Sequence, residues 1–140
     1  MKNMIKVYVI LVFSILLFNS CDGTGVTTVT VINKSFYDLH IKIDVISEYP
    51  YSAHLTGPDP DIIELKKNQS GSFQMSFFGP GTAPTPEEVI TKITFSNLDT
   101  GVLIKILDKN IEKYFVLISL SGRGTEKAEY LLEITNDLLQ

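Results

Sequence analysis

The stretch Asp38-Leu39-His40-Ile41-Lys42-Ile43-Asp44-Val45 decides the fold class. Four aliphatic residues alternate in it with polar or charged residues, and in an extended strand such alternation sends the two sets of side chains to opposite faces. The pattern therefore predicts a β-strand with one face in a hydrophobic core and the other face in water.

The segment before this strand repeats the alternation. Val29 and Val31 are expected to point inward, whereas Thr28 and Thr30 point outward. The sequence Asn33-Lys34-Ser35 between the two segments has the composition of a turn. Residues 26–47 are therefore predicted to form a β-hairpin.

Similar short apolar segments, separated by turn residues, continue along the chain. Further strands are predicted at Ile62–Leu65, Ser72–Phe78, Val89–Phe95, Val102–Leu107, Tyr114–Leu120 and Ala128–Ile134. About eight short strands without a long helical repeat predict an all-β fold, a single antiparallel β-sandwich that is Ig-like or similar. A small closed barrel is the alternative. In residues 126–140 helical spacing also fits, but a strand is preferred.

The first twenty residues have the layout of an export signal. Lys2 and Lys6 precede the twelve-residue apolar run Val7–Phe18. Because a membrane-spanning helix needs about 20 apolar residues, this run is shorter than a typical membrane-spanning helix. Residues 1–20 are therefore predicted to be a cleaved signal peptide.

The chain has one cysteine, Cys21, directly after this segment. The sequence Leu17-Phe18-Asn19-Ser20-Cys21 resembles the lipobox that signal peptidase II cleaves in bacterial lipoproteins. Ser20 provides the small residue before the cysteine, while Phe18 stands where an aliphatic residue is usual. The resemblance covers residues 1–21 and implies that the Cys21 thiol carries lipid, with palmitate-type acyl chains that together hold a protein on a bilayer.

Cleavage before Cys21 divides the chain into a signal peptide (1–20), a lipidated tether (21–25) and a β-sandwich domain (26–140). The mature chain has 140 − 20 = 120 residues, enough for one hydrophobic core. Loss of two lysines leaves 10 basic against 16 acidic residues, a formal charge of −6. This charge disfavours nucleic acid as a partner.

The predicted lipid places the protein in the cell envelope with the membrane as its partner. An outer-membrane or cell-surface location is expected rather than the inner membrane, although Asp22 beside the cysteine favours inner-membrane retention in some bacteria. With Cys21 committed to lipid, no internal disulfide is expected.

Two long connections, 48–60 and 79–88, are the candidate binding loops, because loops on a rigid sheet commonly carry recognition. Tyr49, Tyr51 and His54 in the first loop form a possible binding surface, since tyrosines supply rigid amphipathic contact area. The alternatives are that the tyrosines cover the end of the sandwich and that both loops merely cross between its sheets.

No sequence pattern nominates a catalytic residue or a cofactor. Carboxylates at Asp59, Asp61 and Glu64 are candidate calcium ligands, but they lack EF-hand spacing and need oxygens from elsewhere. His40 is expected to be a solvated side chain on the polar face of its strand. A metal site is therefore not expected.

The resulting functional hypothesis is a membrane-anchored bacterial lipoprotein that acts as a non-enzymatic binding or structural module. One alternative is an adhesin-like or glycan- or lipid-binding module that uses loops 48–60 and 79–88, with a protein or glycan ligand that the sequence does not identify. Another is a small envelope hydrolase.

Overall fold

The computed structural model describes residues 24–46, 51–55, 62–78, 82–122 and 126–140, and for residues 52–55 only the backbone. Nine strands form in these residues. They are β1 (Thr24–Asn33), β2 (Leu39–Val45), β3 (Tyr51–Leu55), β4 (Ile62–Leu65), β5 (Ser70–Phe78), β6 (Ile90–Asn97), β7 (Leu103–Leu107), β8 (Phe115–Ser121) and β9 (Lys127–Ile134).

Three short helical segments accompany the strands. They are α1 (Pro86–Val89), a 3₁₀ turn (Ile111–Tyr114) and α2 (Asn136–Leu139). Among the described residues, no helix is both long and apolar enough to cross a membrane.

The strands form two sheets packed face to face. The five-stranded sheet has the order β3-β5-β1-β9-β8, and the four-stranded sheet has the order β4-β2-β6-β7. All pairs are antiparallel except β1 with β9, which run parallel in register from Val26 opposite Lys127 to Asn33 opposite Ile134. The prediction of an all-β sandwich is confirmed.

The core lies between the two sheets and follows the predicted alternation. In β2, Leu39, Ile41 and Ile43 are fully buried, while Lys42 between them is exposed. The largest fully buried side chains belong to both sheets and include Phe73, Phe95, Met75, Ile93, Leu132 and Ile134. Interleaving of these side chains removes apolar area from water on both inner faces. Each Å² of apolar surface buried in this way stabilises the fold by roughly 25 cal/mol.

The predicted hairpin over residues 26–47 is wrong, because β1 and β2 belong to different sheets. Asn33, fully buried at the end of β1, forms hydrogen bonds across this crossover. Its Nδ2 donates to the carbonyl oxygens of Tyr37 (2.8 Å) and Leu65 (3.1 Å). Its Oδ1 accepts from the backbone N–H (3.0 Å) and the hydroxyl (2.7 Å) of Ser35. The turn residues thus tie the two sheets together instead of closing a two-stranded turn.

Loop 48–60, predicted to lack a strand, contains β3. This strand pairs antiparallel with β5 from Tyr51 opposite Phe77 to Leu55 opposite Phe73. Loop 79–88 connects β5 to β6 and therefore crosses from one sheet to the other. Its last residues begin α1, where the Glu88 carboxylate accepts from the backbone N–H of Thr85 at 2.7 Å in a capping box.

The first strand begins at Thr24, so Thr24 and Gly25, predicted to be tether, belong to the sheet. A Cβ atom at Gly25 would lie 2.4 Å from the Thr82 carbonyl oxygen. Glycine therefore permits the close approach of the 82–85 backbone, where the Thr27 hydroxyl donates to the Pro84 carbonyl oxygen.

At the other end of the chain, the preference for a strand is confirmed over Lys127–Ile134. The helical turn α2 follows, and its N-cap residue Thr135 accepts from the backbone N–H of Leu138 at 3.3 Å.

Candidate functional site

Several of the predicted site residues lie outside the described part of the chain. These are Cys21, Tyr49, Asp59 and Asp61. The lipidation and calcium hypotheses that depend on them therefore stay predictions.

Tyr51 lies at the start of β3 and is half-buried against the core. Its ring centroid is 5.5 Å from that of Phe77, with the rings tilted by 58°. The backbone of His54 pairs with Gln74 in the same sheet, but its side chain is outside the described residues. Tyr51 therefore joins a packed aromatic pair at the sheet edge.

A small depression adjoins this aromatic pair. It has a volume of about 180 Å³ and is lined by Tyr51, Phe77, Thr82, Pro84 and Glu88. Loop 79–88 thus reaches the vicinity of β3, as the binding-loop hypothesis requires. The depression is smaller than the roughly 300–1,000 Å³ of typical small-molecule pockets.

Glu64, the described member of the calcium candidates, lies in β4 opposite His40 of β2. The His40 Nδ1 and Glu64 Oε1 atoms are 3.7 Å apart, and the Glu64 side chain is largely exposed. In the described ranges, no three His, Cys, Asp or Glu side chains are close enough together to hold a metal ion.

The polar face of the smaller sheet carries a cluster of charges around Asp44. Lys92 Nζ lies 2.6 Å from Asp44 Oδ2, and Lys42 Nζ lies 3.6 Å from Asp44 Oδ1. The hydrogen bond from Lys92, opposed in part by desolvation, lowers the pKa of the Asp44 carboxyl below its usual value. This cluster links neighbouring strands β2 and β6. Its charged side chains pair with one another.

The most unusual surface of the described structure is β8. This strand forms one edge of the five-stranded sheet, and in the described chain it pairs with β9 alone. Four of its side chains are large, apolar and about half or more exposed: Val116 (57%), Leu117 (47%), Ile118 (58%) and Leu120 (51%). The strand is therefore apolar where most edge strands are polar or charged.

A β-bulge explains why both faces of β8 are apolar. The register with β9 shifts between Leu117 and Ser119, which leaves Ile118 as an extra residue. Leu117 stands opposite Tyr130 and Leu120 opposite Ala128, on the side of the sandwich interior, where the four-stranded sheet leaves both leucines uncovered. Val116 lies on the outer face, as does Ser119, whose hydroxyl donates to Glu129 at 2.9 Å.

The outer face beside β8 has a shallow depression of about 300 Å³. Its lining residues are Thr28, Thr30, Ile118, Glu129, Tyr130 and Leu131. The Tyr130 side chain itself lies on the interior side, packed against the core, where burial, followed by the charges of Glu87 and Glu88, raises the pKa of its hydroxyl above the ordinary value.

The other edges whose side chains are described have features that protect against unwanted pairing. β4 is only four residues long and exposes Glu64, while β7 has five residues and includes Lys105. In contrast, β8 has seven residues without a charge or a proline, and its bulge is its one protective feature.

The sequence predicted the β8 strand but not its exposure. The run Phe115-Val116-Leu117-Ile118 breaks the alternation of the other strands, and a continuous apolar run indicates burial on both faces. That break was the signal available in the sequence. In the structure the run lies at an edge, so the expected cover is absent from the described residues.

Comparison of the chain with models of known protein families and with curated proteins gave no match.

Proposed function

We propose that the protein is a lipid-anchored, non-enzymatic module of the bacterial cell envelope that binds a partner through β8. The observation that carries the proposal is the exposed, uncharged edge of β8, with apolar side chains on both faces. Contiguous exposed apolar surface of this kind is typical of protein interaction sites.

The lipid anchor at Cys21 is supported by the sequence before it and by the length of the tether. Three residue steps separate Cys21 from Thr24, the first residue of β1, and they span about 10 Å when extended. Such an anchor would hold the sandwich directly on the bilayer. A partner in the same membrane would then meet β8 in two dimensions, which raises its effective concentration.

A substitution at Cys21 tests the anchor. In bacteria that process lipoproteins and are fed a clickable palmitate analogue, we expect the wild-type chain to carry the label and to sediment with membranes. Cys21→Ala should lose the label and leave the membrane fraction, whereas the control Ser14→Ala, within the apolar run, should keep both. Separation of inner from outer membranes then tests the expected outer-membrane or surface location. Labelling of Cys21→Ala to the wild-type level would contradict the proposal.

The aromatic depression supports a second function, recognition of a glycan or other ligand through loops 48–60 and 79–88. Aromatic rings can stack on sugars, and Tyr51 and Phe77 lie beside Pro84. Calorimetry with soluble peptidoglycan fragments would test it. Binding by the wild-type protein that is lost in Tyr51→Ala, and kept in Ile118→Lys, would favour this function over β8.

A further inference from the structure

We infer that the partner of β8 is the β8 strand of a second copy of this chain, paired with it antiparallel across a two-fold axis. The inference rests on the proposed function in one respect, the use of β8 as the contact surface. The two five-stranded sheets would then form one continuous ten-stranded sheet.

The backbone of β8 selects the type of partner. An edge strand presents a row of N–H and C=O groups on its open side, and these groups are matched by another extended segment. Within the described residues β9 covers only one side of β8. A strand added to the open side would pair with the β8 backbone groups that point away from β9.

The side chains of β8 restrict the partner further. Val116 lies on one face and Leu117 and Leu120 on the other, so a matching strand must offer apolar side chains on both faces. Strands such as β2, with one wet face, do not meet this requirement, whereas β8 itself does. A two-fold axis makes the same patch contact itself, which is the usual geometry of homodimers.

Charge also favours a second copy at this surface. Two chains with a formal charge of −4, or −6 after the predicted cleavage, repel each other where their acidic residues meet. Phe115–Ser121 contains no charged residue. The nearest acidic residue on the neighbouring strand is Glu129, and three strand spacings of about 4.8 Å would separate the two copies of it by about 14 Å. This distance exceeds the Debye length of about 8 Å at physiological salt.

The pairing is compatible with two anchors in one bilayer. Antiparallel pairing through the same edge requires a two-fold axis perpendicular to the sheet. If that axis is also perpendicular to the membrane, both sheets lie flat over the bilayer and both Thr24 residues are at equal height. Tethers of equal reach, about 10 Å when extended, would then serve the two copies alike.

The test compares two matched substitutions in the full chain, purified in detergent and measured by sedimentation with correction for bound detergent. We expect a dimer for the wild-type protein. Ile118→Lys should raise the dimer dissociation constant by about 10-fold or more, because it replaces apolar cross-strand contacts by like charges on the two copies. The control Val102→Lys replaces an equally exposed aliphatic residue (62%, against 58% for Ile118) before β7, and it should leave the dimer intact.

A wild-type monomer at about 100 μM would overturn the inference, as would a dimer that persists in Ile118→Lys. Equal loss of the dimer in both variants would also overturn it, because the surface would then not be β8. Circular dichroism establishes that each variant is folded before its mass is interpreted.

Cysteine cross-linking in membranes provides the second measurement. Single cysteines at Val116, Ile118 and Leu120 should give a disulfide-linked species of twice the chain mass, with a maximum at the position nearest the axis. Thr30→Cys, in β1, and the wild-type chain with Cys21 alone should not. A cross-linked species of another mass would assign β8 to a different protein and overturn the inference.

The failure of this inference is distinguishable from failure of the proposed anchor. If the chain carries lipid but stays monomeric, the proposed anchor stands and the inferred β8 pairing is wrong. If the chain carries no lipid but dimerises through β8, the inferred pairing stands and the proposed anchor is wrong.

Discussion

Strands β2 and β8 each have seven residues and are rich in aliphatic side chains, yet they occupy opposite environments. β2 lies between β4 and β6, and its inward residues Leu39, Ile41 and Ile43 are buried. β8 pairs with β9 alone among the described strands, and Val116, Leu117, Ile118 and Leu120 are exposed. Each strand has four aliphatic residues, which are mainly part of the core in β2 and are exposed in β8.

The difference lies in how each strand distributes its apolar residues. Alternation in β2 matches a sheet with one dry face and one wet face. The continuous apolar run in β8 matches a strand covered on both faces, and the part of the sandwich that the structure describes does not provide that cover. Substitutions that separate stability from assembly can test this contrast.

The largest effect is expected from equivalent truncations in the two strands. Ile41→Ala should lower the free energy of unfolding by about 2–5 kcal/mol, because it leaves a cavity in the core. Ile118→Ala should change the unfolding free energy of the monomer by less than about 0.5 kcal/mol. Urea denaturation followed by circular dichroism, at concentrations where the chain is monomeric, measures both. Similar losses in the two variants would remove the contrast.

A buried polar residue at the sheet crossover gives the next largest effect. Asn33→Ala removes four hydrogen bonds and should cost about 2–3 kcal/mol, since the Ser35 groups and the Leu65 carbonyl oxygen lose a buried partner. Asn97→Ala is the matched control. Asn97 Oδ1 also accepts several hydrogen bonds, but in an exposed turn, so about 1 kcal/mol is expected. If Asn97→Ala cost as much in urea denaturation, burial would not be the cause.

A steric effect at the start of β1 should be somewhat smaller. Gly25→Ala places a Cβ atom against the Thr82 backbone, which must shift, and we expect a loss of about 1–3 kcal/mol. Thr24→Ala, next to it and exposed, should be nearly neutral. Thermal melting of both variants makes the comparison. A neutral Gly25→Ala would show that loop 82–85 does not pack on β1 as described.

The smallest effect concerns the wet face of β2, and it depends on pH. Because the folded-state pKa of Asp44 is lowered, its ion pair stabilises the fold above the ordinary aspartate pKa and loses that effect as the pH falls through the folded-state value. Lys92→Met should therefore cost up to about 1 kcal/mol at pH 7 and progressively less below about pH 4. Urea denaturation across this pH range, with and without 0.5 M NaCl, measures the change. A cost independent of pH would assign the effect to packing.

The sequence was informative about strands wherever apolar and polar residues alternate regularly between core and solvent. The alternation around Ile41 and Val29 predicted strands and their buried faces correctly. It did not reveal which strands pair, because pairing depends on contacts distant in sequence, such as that of Asn33 with Leu65. The hairpin prediction failed for this reason. Strand β3 was missed because Pro50 and the short segment after it have the composition of a loop.

The candidate site was predictable only in part. The run from Phe115 to Ile118 predicted a strand, but its exposure depends on sheet order and on the width of the opposite sheet. Tyr51 was predicted to lie in a loop, whereas it lies in an edge strand and packs against Phe77. In both cases the sequence identified the apolar or aromatic character of the side chains. It did not predict what surrounds them in the fold.

Hydrogen exchange of β8 tests the central claim most directly. The peptide over 115–121 should exchange slowly when the full chain is in its native membrane and considerably faster when detergent dilution makes it monomeric, while the β2 peptide stays protected in both states. Equally fast exchange of the β8 peptide in both states would contradict the account, because β8 would then be uncovered in the envelope.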